Sequence, residues 1–300
     1  MDRKQVGKTR TFSAESRDIV TRYDIIQRQP LILLIALSQI SLGLLATFSP
    51  KKFLEVTSLF GLTNRFIGHG GPWPYAMGGA QIVLGLLYLF VYALKYDVMY
   101  VTLAFIRIPI MLFYALSGYY FNYSHKSLPH VLGSLELVWF LLTVTLILIN
   151  KLTDTPSKIS YSNFSKPSQF SNIMTVSLLC LEGCAALFIP NLWCEKLGQR
   201  SPPLVQLWIR WFGLLQLCTA VTYVSALSKG CTPLLYVYNI GGRIVYIVVY
   251  AAIMFSSEIL LASFATGGLV IVHNLLLLIS FFELGESTDV QEKINEAKNR

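Results

Sequence analysis

The 300-residue chain predicts an all-α polytopic membrane protein, with eight transmembrane helices arranged as two parallel four-helix repeats. Three observations lead there. The composition is 54% hydrophobic and only 13% charged, where a soluble domain carries about 25% charged residues. Apolar runs of roughly 20 residues recur along the chain, the length that crosses a hydrocarbon core about 30 Å thick. They are too long and continuous for barrel strands, and backbone in lipid must bond internally, which leaves helices. Finally, similar residues return in the second half of the chain, 135 to 140 positions after their first appearance.

Residues 1–29 form a charged tail with seven Lys and Arg, partly balanced by Asp2, Glu15, Asp18 and Asp24. Its composition predicts disorder, with a short interfacial helix near Asp18 to Gln27. It lacks the apolar core of a cleaved signal peptide, so the first span is expected to act as the targeting signal. Spans follow at 30–48, 73–94, 98–118, 128–148, 173–189, 204–226, 232–255 and 259–282. The fifth is the shortest and carries Glu182. Between the fourth and fifth spans lies a linker, 151–171, rich in Ser, Thr and Pro. The units are therefore 30–150 and 172–283, and 284–300 is a charged C-terminal tail.

Lys and Arg outside the spans number fifteen on the side of the termini and six on the other, which places both termini in the cytoplasm. The net charge of +8 is thus topological, directed at anionic headgroups, and nucleic acid is excluded as a partner. Membrane lipids and other membrane proteins are the expected partners. The sequence does not distinguish endomembrane from plasma membrane. Cys180, Cys184, Cys194, Cys218 and Cys231 show no metal spacing and no disulfide framework, and read as buried packing residues. The Asn122 sequon lies so close to the membrane that modification is not expected.

The repeat is carried by particular residues. Gly43, Ala46, Phe48, Pro50 and Glu55 return as Gly183, Ala186, Phe188, Pro190 and Glu195, and Gly78, Gln81 and Tyr88 as Gly213, Gln216 and Tyr223. Gly133 meets Gly268. Arg107, with Tyr114 seven residues on, returns as Arg243 with Tyr250 seven residues on. Four helices is an even number, so both units enter from the same side and are related by an axis along the membrane normal.

An arginine near the middle of a lipid-spanning helix is costly and demands a partner. Arg107 lies about 14 Å and Glu136 about 18 Å from the cytoplasmic edge, counted at 1.5 Å per residue, so the two can meet. In the second unit Glu182 at about 14 Å and Arg243 at about 16 Å form the corresponding pair. Such pairs hold a bundle together by avoiding uncompensated charge. With Tyr114 or Tyr250 on the arginine's face, and His273 in the last span, they also outline a polar pocket for an anionic or amphipathic ligand, or an ion path. The candidate ligand-binding residues are Arg107, Tyr114, Glu136, Glu182, Arg243, Tyr250 and His273. Arg210, between Trp208 and Trp211, reads as an interface anchor whose indoles meet the headgroups.

No catalytic constellation is visible. His69, His125, His130 and His273 are dispersed, no nucleophile elbow or paired-histidine helix occurs, and the Gly68 to Gly71 cluster lacks the strand and helix of a phosphate loop. A non-enzymatic scaffold or binder of a lipid-like ligand, without cofactor, is the expected class. A small-solute or ion transporter is the alternative. Arg28, Pro30 and Leu31 entering the first span, Pro50 at its exit, and Tyr75, Gly78, Gly79 and Ala80 opening the second make the start of the first unit resemble the tumor protein p53-inducible protein 11 family. That family consists of four-helix membrane proteins, and this chain departs from it in having two units and a linker. The resemblance implies a multi-pass membrane protein with no catalytic residues and a connection with restraint of cell proliferation.

Overall fold

The computed structural model describes residues 31–50, 52–53, 73–94, 96, 98–120, 127–149, 170–191, 203–256 and 260–286. Among the described residues the regular structure is all helical, with no strand. The long helices are α1 (Leu31–Phe48), α2 (Trp73–Ala93), α3 (Met99–Tyr120), α4 (Ser127–Ile149), α5 (Phe170–Phe188), α6 (Pro203–Ser228), α7 (Thr232–Ser256) and α8 (Leu260–Glu286). Helices α1 to α6 contain stretches long and apolar enough to cross a bilayer, and the apolar stretch described in α8, Gly267–Glu283, is shorter. Glu182 does not interrupt α5, which begins three residues before the predicted start. The N-terminal tail, the Gly68 to Gly71 turn, the Asn122 sequon, nearly all of the linker, Cys194 and the chain beyond Glu286 lie outside the described residues.

Helices adjacent in sequence pack in pairs: α1 on α2, α3 on α4, α5 on α6, α7 on α8. Two of these pairs touch backbone to backbone. A Cβ on Gly43 would lie 2.6 Å from the Gly78 carbonyl oxygen, and one on Gly213 would lie 2.7 Å from the Gly183 carbonyl oxygen. Lipid tails are as apolar as leucine, so helices in a membrane gain from such close approach where small residues permit it. Glycine also ends α6. Gly230 takes a φ of 70°, its N–H bonds to the Leu227 carbonyl, and the Cys231 N–H reaches the Ala226 carbonyl at 2.9 Å, closing the last turn as a Schellman cap.

The pairs meet through α2, α3, α6 and α7, with α2 against α6 and α7, and α3 against α6. Burial follows: 72% of the spanning residues of α2 and of α6 are buried, against 28% in α4, whose Leu148 and Ile149 face outward. The seam is aromatic and polar in turn. Trp211 packs edge-on to Tyr114 at 4.8 Å and to Trp208 at 4.9 Å, while Thr102 bonds to Ser225 at 2.6 Å. Beside them Lys229 Nζ donates to the Val98 carbonyl at 2.9 Å. Trp208 and Trp211 are therefore buried inside the protein, which corrects the expectation that their indoles meet the headgroups: they fill the seam between α6 and the first half, while Arg210 between them is half-buried. Cys218 and Cys231 are buried as expected, whereas Cys184 faces outward.

Candidate functional site

In the first half, Arg107 is fully buried and closely surrounded. Its Nη1 donates to Glu136 Oε2 at 2.5 Å and its Nε to the Tyr88 hydroxyl at 2.9 Å. The guanidinium carbon lies 4.8 Å from the Tyr88 ring centre and 5.1 Å from that of Trp139. Tyr88 passes its own hydrogen to the Leu103 carbonyl at 3.2 Å. The charge is thus neutralised by a carboxylate on α4 and sandwiched by two π faces, both of which favour a desolvated cation. The predicted partner is the observed one. Tyr114 stands apart, turned to Trp211 in the seam.

The second half is built differently. Arg243 and Glu182 do not pair. Arg243 Nη2 bonds to the Thr175 hydroxyl, and Nη1 faces His273 Nδ1 at 3.4 Å. Glu182 Oε2 instead accepts from Gln216 Nε2 at 3.0 Å and from the Tyr250 hydroxyl at 3.1 Å. The cause is axial register. α5 and α7 run in the same direction with a constant offset of 68 residues, which sets Thr175 against Arg243 and Glu182 against Tyr250. Counting depth from each helix start assumed that both begin at one level. In fact α7 begins six residues, about 9 Å, before the position opposite Phe170, so Glu182 lies two turns, about 10 Å, beyond the arginine's partner.

Around this register a polar network forms. Thr175 lies 3.1 Å from Asn239 Oδ1, Asn239 Nδ2 donates to the Ser280 hydroxyl at 2.9 Å, and the Tyr246 hydroxyl donates to Gln216 Oε1 at 2.6 Å. The rings of Tyr246, Tyr250 and His273 stack, with the imidazole 5.3 Å from Tyr246 and 5.5 Å from Tyr250. Arginine has only donors, so His273 Nδ1 is the acceptor and the imidazole proton resides on Nε2. Asn274, by contrast, is exposed and bonds back to the Val270 carbonyl. At the end of α8 the Glu283 carboxylate accepts from the Ser171 N–H at 3.0 Å and from its hydroxyl, capping α5 where free N–H groups favour negative charge.

Six of the seven candidate residues thus fall into two groups, with Tyr114 apart: Arg107 with Glu136, and Glu182 with Tyr250, whose ring stacks on His273. Arg243 joins the second group through His273. Tyr88, Trp139, Thr175, Gln216, Asn239 and Tyr246 were not singled out as site residues. A usable signal existed for two of them: Tyr88 and Gln216 belong to the polar positions that recur between the halves inside apolar runs. Beside Arg243 lies a cavity with room for about one water molecule, bordered by Thr175, Tyr223, Tyr238, Asn239, Arg243 and His273 among others. Among the described residues no group of three His, Cys, Asp or Glu side chains is placed to hold a metal. No family model, curated protein or solved structure matches the chain.

Proposed function

We propose that the protein is a non-enzymatic, eight-span membrane protein made of two parallel four-helix units, in which the first unit is a structural counterpart and the second binds the polar end of a small lipid-like ligand beside Arg243. The observation that carries this reading is the cavity at Arg243, a buried guanidinium bonded to a hydroxyl and an imidazole, without a carboxylate. The unit reading is supported by equivalent contacts: Gly43 against Gly78 and Gly183 against Gly213, and Arg107 to Glu136 and Arg243 to His273 at separations of 29 and 30 residues. Both termini belong on the cytoplasmic side by the charge tally. Reporter fusions after Lys126 and after Ser160 are expected on opposite faces; a common face would refute this topology.

The binding reading is tested with the full chain purified in mild detergent. Native mass spectrometry is expected to find a retained small molecule in the wild type and to lose it in Gly242→Ala. That methyl would sit 3.4 Å from Val83, in ordinary contact, and take up space at a residue bordering the cavity. A wild type that retains nothing would leave the scaffold role.

A further inference from the structure

The geometry points to a compact monovalent anion, held in the cavity between Arg243 and His273, as the counter-charge of the second unit. This rests on the ligand-binding reading above and specifies the chemistry of the ligand's polar end.

The two halves present the same problem and answer it differently. Each places an arginine on its third helix, 0% exposed at Arg107 and 2% at Arg243. Each faces that arginine with a residue of its fourth helix, Glu136 in one and His273 in the other. Where Glu136 supplies a full negative charge, His273 supplies a neutral ring nitrogen. Among the described residues no carboxylate lies within 4.0 Å of Arg243. Of the two acidic groups of the network, Glu182 gives its Oε2 to Gln216 and Tyr250, and Glu283 is held by the Ser171 N–H and hydroxyl at the start of α5. A guanidinium at this depth with no carboxylate in direct contact is expensive, because attraction and desolvation are both large where the dielectric constant is low, and Glu182 and Glu283 act on it only through space.

The groups around the cavity are those that recognise an anion. Arg243 Nε, the Tyr238 hydroxyl and His273 Nε2 are buried without a hydrogen-bond partner. The bond from Arg243 to His273 Nδ1 fixes the tautomer in which Nε2 is a donor. All three residues border the cavity, and no acidic side chain does. One positive charge asks for one negative charge, and a space of about one water admits a single anionic atom, a halide or one oxygen of a carboxylate whose chain stays outside, in preference to a bulky divalent sulfate or phosphate. Two sources share the required chemistry: a halide ion from solution, or the carboxylate end of a fatty acid entering from the bilayer.

The test is thermal unfolding of the delipidated full chain in detergent, with sodium chloride exchanged for sodium gluconate at constant ionic strength so that general screening is unchanged. Chloride, or laurate in gluconate buffer, is expected to raise the midpoint by several degrees with a saturable concentration dependence, as a ligand of the native state does. Chloride acting identifies the ion as the source, and laurate acting alone identifies the lipid carboxylate. His273→Glu places a carboxylate where Glu136 stands in the first half. It should be at least as stable as the wild type in gluconate and lose the response to both anions. Glu182→Gln should keep the response. The inference is overturned if neither anion stabilises the wild type, if His273→Glu retains the full response, or if a response emerges only in Glu182→Gln, which would make Glu182 the counter-charge acting through space. A retained molecule lost in Gly242→Ala, with no effect of either anion, would leave ligand binding standing and remove only its anionic character.

Discussion

Arg107 and Arg243 occupy corresponding places in the two halves, yet one is a closed ion pair and the other a donor-rich cluster beside a cavity. The difference begins with one side chain on the following helix. A carboxylate at position 136 neutralises the guanidinium at 2.5 Å and leaves the aromatic rings of Tyr88 and Trp139 to cover it. An imidazole at position 273 engages the guanidinium at 3.4 Å with no negative charge, and the arginine turns also to a hydroxyl on α5. Of the second half's buried carboxylates, Glu182 lies two turns away, where its observed partners are an amide and a phenol, and Glu283 is engaged at the start of α5. The comparison teaches that two buried arginines on similar helices can be held by different partners, one by a carboxylate and the other by neutral side chains beside a cavity.

The largest test of that contrast is the removal of each arginine. Arg107→Leu leaves Glu136 buried and alone, and is expected to cost about 3 to 5 kcal/mol, read as a large drop in detergent thermal stability. Replacing both Arg107 and Glu136 by Leu should be milder than either single change, and strictly additive losses would show that the two groups do not couple. Arg243→Leu breaks no direct ion pair, and should cost about 1 to 3 kcal/mol through lost bonds to a charged donor. Equal losses at the two arginines would erase the distinction between the halves.

Next in size is the backbone contact the halves share. Gly43→Ala and Gly183→Ala each place a Cβ within 2.9 Å of a carbonyl oxygen on the neighbouring helix. Each should therefore cost about 1 to 3 kcal/mol by forcing the helices apart. A loss in one half only would argue against equivalent units. Smallest is Glu182→Gln, where the amide oxygen still accepts from Gln216 and Tyr250. A change of about 0.5 to 1.5 kcal/mol is expected, and a loss as large as that of Arg107→Leu would mean that the carboxylate's charge is required.

Much of the membrane architecture was legible because it is local chemistry. An apolar run reports its own helix, and the runs at α1 to α6 appear as helices apolar enough to span. The Arg107 to Glu136 contact was legible too, since α3 and α4 are consecutive antiparallel helices and depth along one converts directly to depth along the other. Gly43, Gly78, Gly183 and Gly213 stood out as recurring glycines, although nothing local said that they face one another. The Trp208 and Trp211 indoles misled because a tryptophan near a helix end serves equally at a lipid interface or in a seam between helices.

By itself the sequence determined an all-helical fold built of apolar runs and the need of each midspan arginine for partners. These follow from the cost of placing backbone and charge in hydrocarbon, which every run meets alone. Tertiary structure decided the rest of the second half: that α7 begins about 9 Å before the level of α5, that Arg243 therefore meets Thr175 and His273, and that Glu182 meets Gln216 and Tyr250. The physical reason is that the axial offset and rotation of one helix against another are set by side chains distant in sequence. The length of an apolar run fixes how far a helix reaches, and the packing of its neighbours fixes what it reaches.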